Sequence, residues 1–199
     1  MKKVSLLLIF IICLLSSDEE FKNIKNSYFK SYDYEQVGRY KEAIKILAPL
    51  SKEYPKGYTL SLRLAWLFYL QKQYNTSLRY YTEASLLDTK SLEPKIGLIR
   101  VYLATYSFEK AQNVATEILK VDYYNYYTNL YMAKALNAQK KYEIAITVSE
   151  KMLQIYPTDT LFLEQLFLSY KATNNKHYKD IYESILILDP NNVIVRTRK

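Results

Sequence analysis

An aromatic side chain returns at a constant interval of 34 residues in this chain, at Tyr40, Tyr74, Phe108 and Tyr142. Three residues after each stands a small one: Ala43, Ser77, Ala111 and Ala145. Six residues before each stands a large one: Tyr34, Phe68, Tyr102 and Leu136. A fixed period in four copies restricts the fold to a repeat architecture, whose single unit cannot bury its apolar face alone. The fourth copy shows the local structure. Lys140 to Pro157, KKYEIAITVSEKMLQIYP, reads as a turn, a helix opening at Tyr142 and a stop at Pro157. Tyr142, Ala145, Ile146, Val148, Met152, Leu153 and Ile155 mostly recur at three or four residues, which puts them on one helical face. A helix this short needs a neighbour to cover that face.

The large-x5-aromatic-x2-small pattern, as in Tyr34-x5-Tyr40-x2-Ala43 and Tyr102-x5-Phe108-x2-Ala111, resembles the tetratricopeptide repeat family. The exits at Asp88, Asp122, Tyr156-Pro157 and Asp189-Pro190 match it too. The resemblance covers 24–192, in units 24–57, 58–91, 92–125, 126–159 and 160–192. It implies an all-α fold, a right-handed superhelical array of about five antiparallel helix-turn-helix repeats. The chain departs from the family in three ways. The Trp expected early in each first helix is absent. The small residue expected where two helices touch is Ser31, Ala65 and Ala133, but Ile99 and Phe167 in the third and fifth units. The fifth unit is one residue short and has Lys176 in place of the turn aromatic, with Tyr178 nearby.

Ahead of the repeats, Met1 to Ser17 has the layout of a secretory signal peptide: Lys2 and Lys3, an apolar run from Val4 to Leu15, and the small exit Ser16-Ser17. A membrane span wants about 20 apolar residues, so an uncleaved anchor is the alternative rather than the first reading. Ile12 precedes Cys13 where a lipoprotein signal wants a small residue. Cys13 is the only cysteine, so the chain without 1–17 has no disulfide or thiolate chemistry. Its formal charge falls from +8 by the two lysines, since 1–17 holds no acid. The rest suits one domain of packed helices.

A polar leader, 18–23, follows. A first helix is expected from Ile24 to Gln36 and a second from Tyr40 to Glu53, with Gly38 between them and Pro49 bending or ending the second early. Tyr40, Tyr74, Tyr102 and Tyr142 are expected in the core. The tail, 193–199, reads as a short or partial capping helix over Tyr178, Ile181, Tyr182, Ile185, Leu186 and Leu188. If it falls short, that end meets another molecule, and self-association through the C-terminal helix is the candidate.

Chemistry is sparse. His177 is the only histidine and lies in a polar turn, so no His-based metal cluster and no Ser–His or Cys–His pair can form. Gly38, Gly57 and Gly97 are isolated, so no glycine-rich phosphate loop exists. The expectation is no catalytic residue, no metal and no cofactor. An array of this kind offers instead a concave surface lined by the first helix of each pair. The resemblance places Tyr32, Arg63, Trp66, Arg100, Tyr127, Tyr131 and Lys134 there, with Gln165 and Leu168 further on. Aromatic and Arg side chains dominate binding hot spots. Arg63, Arg100 and Lys134 favour an acidic or carboxylate-bearing ligand. The family's clamp for a C-terminal carboxylate is missing, with Tyr28 and Tyr32 where its Lys and Asn would stand.

The reading is a bacterial, exported, non-enzymatic scaffold that holds a protein or peptide partner in the periplasm or cell envelope. A carbohydrate or cell-wall polymer binder using the groove aromatics is the alternative. Nucleic acid is not expected, because the positive charges are spread along the chain.

Overall fold

The computed structural model describes residues 2–197, with side chains for 18–197. The described residues form eleven α-helices and no strand: α1 Lys2–Gln36, α2 Tyr40–Glu53, α3 Tyr58–Leu70, α4 Tyr74–Leu87, α5 Glu93–Ala104, α6 Phe108–Val121, α7 Tyr126–Ala138, α8 Tyr142–Leu153, α9 Thr160–Ala172, α10 Tyr178–Leu188 and α11 Val193–Thr197. Each of the four periodic aromatics is the first residue of its helix. The small residue three positions on, Ala43, Ser77, Ala111 or Ala145, is fully buried in every case. The helix-contact position is buried as well, whether it is Ser31, Ala65, Ile99, Ala133 or Phe167.

One closing device ends α1, α3, α5, α7 and α9. The amide of Arg39 donates to the carbonyl of Tyr34 at 2.8 Å, Gln73 to Phe68 at 2.9 Å, and Ser107 to Tyr102 at 2.8 Å. Lys141 to Leu136 and Asn175 to Tyr170 follow, both at 2.9 Å. The residue before each donor is left-handed: Gly38 (φ 72°), Lys72 (60°), Tyr106 (58°), Lys140 (60°) and Asn174 (54°). Its amide bonds back three residues, which completes a Schellman motif. The interval of 34 therefore reaches the fifth turn, where the aromatic itself has been lost.

The chain divides into two compact units, Met1–Thr89 and Lys90–Lys199. In the first, Ala43, Leu47 and Leu50 of α2 meet Leu60, Leu64 and Leu67 of α3. In the second, Ile99 of α5, Ala111, Ala115 and Ile118 of α6, Met132, Ala135 and Leu136 of α7 and Ala145 of α8 form one cluster. Leu163 and Phe167 of α9, Ile185 of α10 and Val195 of α11 form another. The first helices of successive pairs touch, α5 on α7 and α7 on α9.

Four expectations turn out differently or are refined. Helix α1 begins at Lys2, so the leader 18–23 is helical; no Pro or Gly interrupts 2–36, and the Tyr54 hydroxyl donates to Glu20 across to α1. The expected signal peptide, 1–17, lies outside the described side chains. Pro49 does not end α2, because it and Lys45, whose carbonyl loses its partner, both face solvent. Tyr40, Tyr74, Tyr102 and Tyr142 are half-buried, at or beside the turns, while the buried tyrosines are Tyr81 and Tyr170. The tail helix α11 does cover the last pair: Val195 is fully buried. The Asn192 side chain accepts from the amides of Ile194 and Val195 and so caps α11. Ile187 and Leu188 of α10 and Val193 of α11 remain exposed.

Candidate functional site

In the first unit, Tyr32, Arg63 and Trp66 meet around Glu35, a residue the sequence reading left out. Ser31 and Glu35 lie one turn apart on α1, and Arg63 and Trp66 one turn apart on α3, so two short rows of side chains face each other. Arg63 is only 7% exposed. Its Nε donates to Ser31 Oγ at 3.2 Å and its Nη1 donates to the Glu35 carboxylate. The Trp66 indole N–H donates to Glu35 Oε1 at 2.6 Å. The Tyr32 ring covers the guanidinium, 3.8 Å from its carbon. Trp66 stacks on Tyr69 with centroids 5.5 Å apart. A buried guanidinium must be paired, and here the carboxylate is supplied from within. Arg63 Nη2 is nevertheless buried with no hydrogen-bond partner. Beside this cluster the Tyr28 hydroxyl lies 3.4 Å from Thr59 Oγ1, and burial pushes that phenol up from its ordinary value.

In the second unit, Arg100 Nε on α5 donates to the Tyr131 hydroxyl on α7 at 3.1 Å. Tyr127, one turn before Tyr131, is 55% exposed and lies 6.3 Å from it, ring to ring. One turn after Tyr131, Lys134 opens onto a cavity of about 380 Å³ lined also by Asn137, Ala138, Tyr142, Gln165, Leu168 and Ala172. Asn137 organises its floor. Its amide donates to the Gln165 carbonyl at 3.0 Å and to Gln165 Oε1 at 3.2 Å, and its oxygen accepts from Ser169 Oγ at 2.6 Å. The Gln165 side-chain oxygen is thus occupied, and the residue is 3% exposed. Gln165 and Lys134 both line the cavity, and Lys134 has no acid within ion-pair distance among the described residues. The cavity offers an ammonium, an amide donor and an apolar patch of Leu168, Ala138 and Ala172.

The join before α7 is pinned by a different cation. Lys151 Nζ donates to the Tyr123 carbonyl at 3.1 Å and to Asn129 Oδ1, and stands 3.9 Å over the Tyr123 ring. Burial holds that ammonium below the usual lysine value. Nearby, the Tyr126 hydroxyl donates to Asp159 at 2.7 Å; burial first, then this bond, pushes the phenol up to about 12. The described residues contain no group of three or more His, Cys, Asp and Glu placed to hold a metal.

Of the seven expected site residues, Tyr32, Arg63 and Trp66 meet in the first unit and Arg100, Tyr127 and Tyr131 in the second, while Lys134 lines the cavity one turn further along α7. Glu35 and Asn137 were missed, though each stands three residues beyond a named one, Tyr32 and Lys134. The row of inward positions runs one helical turn further along α1 and α7, to Glu35 and Asn137. Arg63 differs in kind from the free groove cation expected of it, since its charge is already met by Glu35.

No protein-family model matches the chain, and no curated protein does. Solved structures do. A tetratricopeptide repeat protein from Parabacteroides merdae ATCC 43184 is 18% identical, with a TM-score of 0.77 over 88% of this chain and 70% of that one. MamA from Desulfovibrio magneticus RS-1 is 12% identical, with a TM-score of 0.76 over 86% of this chain and 97% of that one. YrrB, described as a TPR protein with an unusual peptide-binding site, is 9% identical, with a TM-score of 0.71 over 92% and 96%. At these identities the likeness establishes the fold, which is that of tetratricopeptide repeat proteins.

Proposed function

We propose that the chain is a non-catalytic scaffold that holds an acidic protein or peptide on the first helices of its pairs. The observation that carries this reading is the Lys134 cavity. An ammonium without an ion-pair partner among the described residues and the side-chain amide of Gln165 both line a space large enough for a side-chain carboxylate and its stem. An ammonium–carboxylate bond in such a setting is roughly twice as strong as a neutral one. The peptide-binding site named for YrrB, a protein of the same fold, lends support to a peptide as ligand. The test is calorimetric titration with N-acetylated, C-amidated tetraglutamate. Lys134→Gln is expected to weaken binding about tenfold; unchanged affinity contradicts the assignment.

The layout of 1–17 supports export to a bacterial envelope as the place of action. N-terminal sequencing of the protein from an envelope fraction tests it: a chain beginning after Ser17 is expected, and one that stays in the cytosol with 1–17 intact contradicts it. A second reading, a glycan or cell-wall polymer binder, draws on Tyr123, Tyr124, Tyr127 and Tyr156, all exposed in the second unit. Titration with soluble glycans in place of the peptide separates the two.

A further inference from the structure

The Glu35 carboxylate bridges two donors that a ligand could otherwise use. We infer that Arg63 and Trp66 form an anion site in the first unit whose resident occupant is Glu35, and that a carboxylate of an acidic peptide takes the site by displacing it. The class of ligand rests on the function proposed above. The site itself rests on three local observations.

Arg63 Nη2 is the first. A buried guanidinium nitrogen without an acceptor is uncommon and costly. One carboxylate stretched between Arg63 Nη1 and the indole N–H does not serve Nη2 as well. A peptide carboxylate laid bidentate on the guanidinium satisfies both terminal nitrogens. The second is the cover. Tyr32 lies over the guanidinium yet is 47% exposed, so its ring can turn outward and open the way. The third is an exit for Glu35, whose side chain is 23% exposed and reaches solvent when released. Exchange of one carboxylate for another leaves the buried cation paired throughout. A neutral ligand would strand the buried guanidinium, which is a strong penalty. Glu35 therefore sets the specificity of the site as well as its resting state.

The test uses the whole protein, the blocked tetraglutamate peptide, and the fluorescence of Trp66, the only tryptophan and so a reporter of this site. Glu35→Gln keeps the size and the acceptor for the indole but removes the competing charge. It is expected to raise affinity in the Trp66 signal about tenfold. A tetraglutamine peptide gains nothing, and adding Arg63→Gln abolishes the gain. Equal or weaker binding by Glu35→Gln, or a gain that survives Arg63→Gln, overturns the inference. Should Glu35→Gln lose helix content, Tyr32→Ala in the parent chain is the second arm. Faster association in stopped flow supports the cover, and an unchanged rate overturns it. Calorimetry keeps the two failures apart. Lys134-dependent heat reports the second unit's cavity, so its absence counts against the function proposed above. A missing Glu35→Gln gain in Trp66 fluorescence counts against this site alone.

Discussion

Single residues carry the period in two ways, and only one is visible in side-chain chemistry. The aromatic and small positions show in the letters. The left-handed turn position does not, because it holds Gly38, Lys72, Tyr106, Lys140 and Asn174 in turn. Only Gly38 and Asn174 are residue types that adopt this conformation readily. No atom lies within 4 Å of where a Cβ at Gly38 would sit, so the cost of Gly38→Ala is backbone strain alone. The loss expected in a denaturant melt is about 1 kcal/mol. Tyrosine hydroxyls carry a second prediction. Tyr54, Tyr126 and Tyr170 are each raised from 10.0 to about 12, Tyr54 chiefly by its bond to Glu20, the other two chiefly by burial. A phenol raised on folding stabilises fully below its unfolded value and loses that contribution as pH climbs through the folded one. Stability is therefore expected to fall between about pH 10 and 12. Alkaline titration followed by tyrosinate absorbance and helicity together checks this. Tyr126→Phe removes the bond to Asp159, with an expected loss of about 1 kcal/mol at neutral pH and a shallower alkaline fall.

At the scale of elements, helix pairing was legible because it depends on local periodicity and on the fully buried small residues. Ala111→Leu or Ala145→Leu forces three further carbons into a filled contact, and a loss of about 1–3 kcal/mol is expected in thermal melts. An unchanged melt for either contradicts the register. The ends of elements were harder to read. Pro49 sits in a continuous helix because solvent takes the freed carbonyl, and which way that carbonyl faces is a matter of tertiary packing. The coverage of α10 by α11 was equally open, since five residues give little periodic signal. Val195 decides it by packing on Leu163, Phe167 and Ile185. Removing residues after Asn192 uncovers that cluster, and light scattering is expected to show self-association that the full chain lacks. A shortened chain that stays in the same state of association, without aggregation, shows that α11 covers nothing of consequence.

On the scale of the whole molecule, the surface was legible in composition but not in pairing. Tyr32, Arg63, Trp66, Arg100, Tyr131 and Lys134 follow from the register. The partners of Arg63, Trp66 and Arg100 lie on other helices, about one period away: Glu35 is 28 residues from Arg63 and 31 from Trp66, and Tyr131 is 31 from Arg100. No local pattern announces such a contact, and the difference is functional. Arg63 is a paired, covered cation, while Lys134 faces an open cavity, though both looked alike as basic residues on inward positions. The central claim is that an acidic peptide is held on the first helices of the pairs. It is tested most directly by side-chain NMR during titration with the blocked tetraglutamate peptide. The Gln165 amide and Trp66 indole N–H resonances are expected to shift in a saturable way while the side-chain amides of Gln112 and Asn113 on α6 stay in place. Saturable binding that moves the α6 amides and leaves Gln165 and Trp66 unmoved would contradict it.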